Sequence, residues 1–129
     1  MSSAQDALQT AADLTAAFEA GDVEAIAALY ADDVVIWHNF DGLGRTREQA
    51  MESAAWVAAE IEDFVVDELW VAPVDGGYVQ QCVFRGRERS TGKEIELPAM
   101  LRAYVVDGRV ARIEEYTDAS SGGNVPDPD

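Results

Sequence analysis

The sequence has little of several residue types that many functional sites need. It holds one cysteine and one histidine in 129 residues, so no internal disulfide can form and no His/Cys cluster has metal-ligand spacing. We therefore expect neither a metal nor a cofactor. Only 9 residues are Lys or Arg against 25 Asp or Glu, a net charge of −16. Nucleic acids and anionic membranes are not expected as partners, because binding phosphate groups requires basic side chains that displace counterions.

Long hydrophobic runs are also absent, and the longest apolar stretch is far too short to cross a bilayer. The first residues, Met-Ser-Ser-Ala-Gln-Asp, lack a basic segment followed by an apolar one, so we expect no secretion signal and a cytoplasmic protein. Hydrophobic content of 48% is typical of a globular chain, and the length suits one domain. We place that domain at residues 1–118 and predict a disordered tail over residues 119–129, which are rich in Ser, Gly, Asp and Pro.

Helical spacing of apolar residues indicates three helices in the first half of the chain. Gly21 is a stop signal for the first helix, and Asp22 is a natural N-cap for the second. Thr46, with Gln49 three residues later, forms the sequence pattern of a capping box for the third. The three helices are predicted at residues 3–19, 23–31 and 47–61.

Alternation with period two indicates strands elsewhere. One strand follows the second helix, and residues 40–44 after it are predicted to form a loop. Four more strands follow the third helix, separated by hairpin signals such as Asp107-Gly108. They are predicted at residues 64–74, 77–87, 95–106 and 109–117. The fold class is α+β, with three N-terminal helices packed on a curved, mostly antiparallel sheet.

The histidine lies on the strand after the second helix. Val34, Ile36 and His38 share one face of that strand, so the imidazole points the same way as two aliphatic side chains. A core histidine satisfied by a backbone partner is one interpretation of this pattern, and a functional titratable group is the other.

Several motifs follow one another in a familiar order. They are Phe18-Glu-Ala-Gly-Asp22, Leu29-Tyr-Ala-Asp-Asp33, Gly44-Arg-Thr-Arg-Glu48 and the stretch from Asp107 to Asp118. Over residues 8–118 the chain resembles the nuclear transport factor 2-like superfamily, in particular its SnoaL-like and ketosteroid isomerase-like enzymes. The resemblance implies a cystatin-like α+β barrel, shaped as a cone around an apolar pocket. It is nearly silent about the reaction, because this fold hosts many activities.

The resemblance places His38 where ketosteroid isomerases carry a proton-shuttling carboxylate and limonene epoxide hydrolases an asparagine that orients water. The two oxyanion donors of the isomerases would fall near Leu14 and Leu101, which are apolar and could not stabilise a dienolate. The arginine and aspartate of the epoxide hydrolases would fall near Cys82 and Phe84. Neither standard mechanism is therefore implied.

Glu115, which matches the third acidic member of the hydrolase site, is the predicted partner of His38. We expect the glutamate to orient the ring and raise its pKa, so that His38 moves protons near neutral pH. A buried pair that only fills space is the alternative. The lone Cys82 is expected to be a small buried hydrophobe rather than a nucleophile, and Asp41 a turn former. The predicted substrate-binding residues are Leu14, Tyr30, Asn39, Trp56, Tyr78, Gln80, Cys82, Phe84, Leu97, Leu101, Ile113 and Thr117.

The outer face of the sheet carries an apolar centre with a charged border, formed around Val83, Met100, Tyr104 and Tyr116, and this pattern predicts a homodimer. For function we expect a cofactor-independent enzyme that uses His38 and Glu115 for acid/base catalysis on a small, neutral, apolar or aromatic metabolite. Isomerase, dehydratase, lyase and cyclase reactions all fit. The alternatives are a non-catalytic protein that binds a hydrophobic small molecule and an epoxide hydrolase with a rebuilt active site.

Overall fold

Three helices and six strands make up residues 3–118, the part of the chain that this computed structural model describes. The predicted tail, residues 119–129, lies outside it. In chain order the elements are α1 (Ala4–Ala20), α2 (Val23–Leu29), β1 (Tyr30–His38), β2 (Gly44–Arg45), α3 (Arg47–Glu60), β3 (Ile61–Val74), β4 (Gly77–Glu88), β5 (Glu94–Val106) and β6 (Arg109–Thr117). The α+β class is thus confirmed.

The predicted helix boundaries follow local capping chemistry. The Thr46 hydroxyl accepts a hydrogen bond from the Gln49 backbone, and the Gln49 side chain accepts one from the Thr46 backbone at 2.9 Å. Asp22 caps α2, and Gly21 ends α1 with a φ of 65°. The helix predicted to reach residue 31 ends at Leu29 instead. Tyr30 already pairs with β6, so sheet pairing overrides the local helical pattern there.

The six strands form one sheet in the order β2-β1-β6-β5-β4-β3. Strands β3 to β6 are the predicted antiparallel meander, and β1 joins it in parallel beside β6. In that parallel pair His38 is the direct neighbour of Glu115. The short strand β2 replaces the end of the predicted loop, because Gly44 and Arg45 fold back antiparallel onto β1. Arg45 thereby reaches the neighbourhood of His38.

Strand β3 begins at Ile61, directly after α3, rather than at the predicted residue 64. It is interrupted twice, between Glu62 and Val65 and between Asp67 and Trp70. Asp63 and Glu68, which lie at these two interruptions, have φ values of 53° and 51°. Such bulges bend a strand and increase its local twist.

One hydrophobic core joins the helices to a single face of the sheet. The alternation predicted for β1 is confirmed, since Val34, Ile36 and His38 are buried while Val35 and Trp37 are only partly so. The core members are Ala7, Ala11, Leu14, Ala17, Ile26, Tyr30, Val34, Ile36, Ala50, Ala54, Tyr78, Leu101, Ala103, Val105, Val110 and Ile113. Among residues 3–118, no helix is both long and apolar enough to cross a membrane.

Candidate active site

A cavity lies between α1, α3 and the inner face of the sheet. The cavity has a volume of about 180 Å³, which suits a small molecule rather than a polymer. His38 and Glu115 both line it. So do nine of the twelve residues predicted to bind substrate, namely Leu14, Tyr30, Trp56, Tyr78, Gln80, Phe84, Leu97, Leu101 and Ile113.

Three of the residues predicted to bind substrate, Asn39, Cys82 and Thr117, are not among those that line the cavity. The exposed Asn39 amide bonds the backbone of Thr117 through both of its polar atoms, at 2.9 and 3.3 Å, and thus ties the ends of β1 and β6 together. Cys82 does point inward, but it packs in a separate small cluster with Val66 and Ala99. Burial raises the pKa of its thiol to about 11, so the thiolate needed for a nucleophile is scarce at neutral pH.

The cavity has a polar end and an aromatic end. Along β5, Leu101 pairs with Glu115 on β6, whereas Leu97 pairs with Phe84 on β4. These two positions are four residues apart, which is about 13 Å along a strand. At the aromatic end Phe64 stacks on Phe84 with ring centroids 5.8 Å apart, and Phe18 contacts Phe64 at 6.4 Å. This end offers aromatic faces and edges, whereas the other end carries the Glu115 carboxyl.

Arg45 is the site residue that the sequence analysis missed. Its side chain is 1% exposed, and one guanidinium nitrogen, Nη1, lies 2.7 Å from Nδ1 of His38. The other, Nη2, donates to the Asp41 carboxylate at 3.1 Å, so Asp41 is an ion-pair partner and not only a turn former. The sequence signal that could have pointed to Arg45 was the Gly44-Arg-Thr-Arg-Glu48 motif. Arg45, its first arginine, is a charged residue buried in an otherwise apolar interior.

The pKa of His38 moves in the direction opposite to our expectation. Burial is the first cause and the positive charge of Arg45 the second, and together they lower the pKa to about 4, while Asp41 opposes them weakly. The Nε2 atom of His38 lies 3.7 Å from the nearest Glu115 oxygen, close enough for an ion pair. Because the ring is neutral at pH 7, we regard this contact as dipolar rather than ionic.

Glu115 is the group in the cavity that titrates near neutrality. Its side chain is 14% exposed, and loss of solvent raises its pKa to about 7, although Arg45 favours the charged form. Burial also raises the pKa values of the Tyr30 and Tyr78 phenols, and Glu115 adds to the shift at Tyr30. Both phenols therefore remain protonated and can donate hydrogen bonds.

Within the described part of the chain, no three His, Cys, Asp or Glu side chains form a metal-binding group. The cavity does hold several convergent polar groups in an apolar wall, which is the usual form of a small-molecule site.

Solved structures define the class of fold. A candidate polyketide cyclase from Xanthomonas campestris pv. campestris is 22% identical, with 93% of this chain and 96% of that one covered and a TM-score of 0.80. IdmH, a candidate polyketide cyclase from Streptomyces antibioticus, is 24% identical over 88% and 92%, with a TM-score of 0.74. A protein of ketosteroid isomerase-like fold from Catenulispora acidiphila, solved with trimethylamine, is 18% identical over 84% of both chains, with a TM-score of 0.72.

The sequence profile of the SnoaL-like domain matches residues 11–113. The chain therefore belongs to the SnoaL-like domain family, within the nuclear transport factor 2-like superfamily, and the resemblance drawn from the motifs is confirmed. No match to a protein of curated function was found.

Proposed function

We propose that this protein is a cofactor-independent enzyme of the cyclase or isomerase type that moves a proton on a small, neutral, apolar or aromatic compound. Membership of the SnoaL-like family and the likeness to candidate polyketide cyclases support this class of reaction. The net charge of −16 and the apolar lining both favour a neutral substrate.

The observation that carries the proposal is the Glu115 carboxyl in the wall of an apolar cavity, with a pKa of about 7. A group that is half protonated at the working pH can both accept and return a proton, which is the property a general acid/base catalyst needs. Structural carboxylates are usually paired and fully ionised, so a carboxyl that faces a cavity and is only half ionised at neutral pH is a functional-site candidate.

In this proposal the roles of the predicted pair are exchanged. Glu115 carries the proton, and neutral His38 donates a hydrogen bond from Nε2. The protonated phenols of Tyr30 and Tyr78 are further donors on the cavity wall. Donors already in place stabilise an oxygen on which negative charge develops without having to reorganise.

The reaction begins when the Glu115 carboxylate removes a proton from a carbon next to a carbonyl group. The electron pair moves onto the carbonyl oxygen, and His38 with a phenol holds the resulting enolate. In an isomerisation the Glu115 carboxyl returns the proton to a different carbon. In a cyclisation the enolate carbon attacks a second carbonyl of the same molecule, and the new alkoxide takes the proton.

The aromatic end of the cavity would hold the flat body of the substrate. Phe18, Phe64 and Phe84 offer edges and faces for ring contacts, and Trp56 lines the same cavity. In this proposal the helices and the curved sheet form a cone around the cavity, and the reacting carbonyl lies at its Glu115 end.

The test is proton exchange, which needs no knowledge of the product. Neutral aromatic ketones and diketones are incubated with the protein in D₂O, and deuterium incorporation next to the carbonyl is followed by NMR. We expect exchange with the wild type and a loss of about 10²- to 10⁴-fold with Glu115→Gln. Tight binding without exchange in the whole panel would favour the non-catalytic binding protein. Incorporation of ¹⁸O from labelled water into the diol formed from an added epoxide would favour the hydrolase.

A further inference from the structure

A line of polar contacts runs from the β1–β2 turn to the cavity. The Asp41 carboxylate accepts from Arg45 Nη2 at 3.1 Å, Arg45 Nη1 lies 2.7 Å from His38 Nδ1, and His38 Nε2 lies 3.7 Å from Glu115. The Phe40 ring packs against His38 and Arg45. Its centroid lies 5.0 Å from that of the His38 ring and 5.5 Å from the guanidinium carbon of Arg45. The two side chains are thus held against each other by packing as well as by their hydrogen bond.

The contact between Arg45 Nη1 and His38 Nδ1 determines which ring nitrogen carries the proton. A guanidinium group has only donors and stays charged at every accessible pH. The nitrogen that it meets at 2.7 Å must therefore accept, so Nδ1 has a lone pair and the ring proton is on Nε2. A histidine without such a neighbour could adopt either tautomer or take a second proton.

We propose that Arg45, held in place by Asp41, is a positioning residue that fixes His38 as the neutral Nε2–H tautomer. His38 thereby presents a hydrogen-bond donor to the cavity and leaves proton transfer to Glu115. The catalytic meaning of this inference rests on the proposed function, whereas the tautomer itself does not.

Arg45 is not arranged as an anchor for an anionic ligand. Nη1 is committed to His38 and Nη2 to Asp41, and the side chain is 1% exposed. The charge of the guanidinium is balanced by Asp41 before a ligand arrives. Arg45 acts on the cavity in two ways: its charge favours the ionised form of Glu115, and its contact with Nδ1 sets the orientation and protonation of the imidazole.

The charged and titratable groups around His38 come from three places in the fold. Arg45 on β2 disfavours the imidazolium, Asp41 in the turn favours it, and Glu115 on β6 lies at the opposite side of the ring. Burial acts in the same direction as Arg45 and is the larger effect. Removal of Arg45 should therefore raise the pKa of His38 without carrying it above its ordinary value.

The experiment uses the fact that the chain has one histidine. In ¹⁵N-labelled full-length protein, the imidazole nitrogens are assigned without ambiguity, and their shifts distinguish the two neutral tautomers and the imidazolium. We expect the Nε2–H tautomer in the wild type at pH 6 and above. A wild type that is mainly Nδ1–H, or mainly imidazolium at pH 6, would overturn the proposal whatever the variants do.

The variants test whether Arg45 is responsible. In Arg45→Met the tautomers should mix, and the His38 pKa should rise by about one unit because a nearby positive charge is gone. Arg45→Lys, which keeps a donor-only cation, should retain Nε2–H. Arg89→Met, which alters an arginine bound to a backbone carbonyl at 3.1 Å on the surface, is the matched control and should leave the imidazole signals unchanged.

A fourth variant keeps the test decisive if Arg45→Met does not fold. Asp41→Asn removes the negative charge beside Arg45, so the His38 pKa should fall while the tautomer is kept. A His38 pKa that rises in Asp41→Asn, or an Arg45→Met spectrum identical to that of the wild type, would refute the inference. If the tautomer behaves as expected and the wild type shows no proton exchange on any substrate, the proposed function fails and the inference on Arg45 stands.

Discussion

His38 and Glu115 are direct neighbours across the parallel pair β1–β6, and their nearest side-chain atoms, Nε2 and Oε2, are 3.7 Å apart. Burial shifts both pKa values toward the neutral forms, to about 4 for the ring and to about 7 for the carboxyl. At neutral pH the pair thus consists of a neutral imidazole and a carboxyl close to half protonation. The acid and not the base of this pair is the group that responds to physiological pH.

The pH dependence of turnover should follow Glu115. If its carboxylate is the base, kcat/KM should fall as the pH drops below about 7, because a protonated carboxyl cannot accept a proton. Glu115→Gln should remove this inflection together with about 10²- to 10⁴-fold of the rate. The measurement is a pH–rate profile of deuterium exchange, and an inflection near pH 4 with a flat region through pH 7 would contradict the assignment.

Substitutions of His38 should separate hydrogen-bond donation from proton transfer. His38→Gln keeps an N–H donor and should retain more activity than His38→Ala, which keeps none. We expect His38→Ala to lower kcat by about 10²-fold, the scale found when one donor to a developing oxyanion is removed. Comparing kcat of the two variants tests the role, and full turnover in His38→Ala with an intact fold would make the histidine a core residue.

The raised pKa of Glu115 should also appear in stability. A carboxyl with a folded pKa above its unfolded value of 4.5 stabilises the native state below about pH 4.5, and this contribution is lost as the pH rises toward 7. Relative to Glu115→Gln, the wild type should therefore lose about 2–3 kcal/mol of unfolding free energy between pH 4.5 and pH 8. Urea denaturation at several pH values measures it. The exposed Glu52→Gln is the control, and its curve should run parallel to that of the wild type.

Arg47 should contribute to stability by satisfying the end of α2. Its guanidinium donates to the carbonyl oxygens of Ala27 and Tyr30, both at 2.9 Å. These belong to the last turn of a helix and to the residue that follows it, where carbonyl groups lack intrahelical partners. Arg47→Met should therefore lower the unfolding free energy by about 1–3 kcal/mol, measured by chemical denaturation. The exposed Arg109→Met should change it by less than about 0.5 kcal/mol.

We propose that the outer sheet face is a homodimer interface. Met100 and Tyr116 pair across β5 and β6 and are 44% and 55% exposed, an apolar centre without a covering element in residues 3–118. Met100→Glu should place a charge in that centre and weaken the dimer, which sedimentation velocity at micromolar concentration would detect. Leu43→Glu, at a 51% exposed position on the β1–β2 turn, is the matched control. A wild type that sediments as a monomer, or a Met100→Glu variant that remains fully dimeric, would contradict this interface.

The elements that the sequence predicted best are those governed by local chemistry. The Thr46 capping box, the Asp22 cap and the Asp107-Gly108 hairpin depend on a few neighbouring residues, and each forms as expected. The inward direction of His38 followed from period two alone. Glu115 was predicted from the family resemblance and from the alternation of residues along its strand. The register of the parallel pair β1–β6 places it beside His38.

The features that were not predicted from the sequence depend on contacts between distant parts of the chain. A strand of two residues has no period, so β2 and the inward direction of Arg45 were not visible in the pattern. The expected shift of the His38 pKa considered Glu115 alone and left out burial, the larger effect, and Arg45, so its sign was opposite to the one found. Tyr30 begins β1 and not the end of α2 because it pairs with β6, a contact 80 residues away along the chain.

The two interruptions of β3 limit how copies of this protein can associate. β3 is an outer strand of the sheet, and Asp63 and Glu68 divide its 14 residues into short segments. A continuous free edge would offer the unpaired amides and carbonyls that allow strands of neighbouring molecules to add on. Because each regular segment of β3 is short and carries acidic bulge residues, open-ended growth of the sheet into fibrils is disfavoured, even in a crowded and concentrated solution.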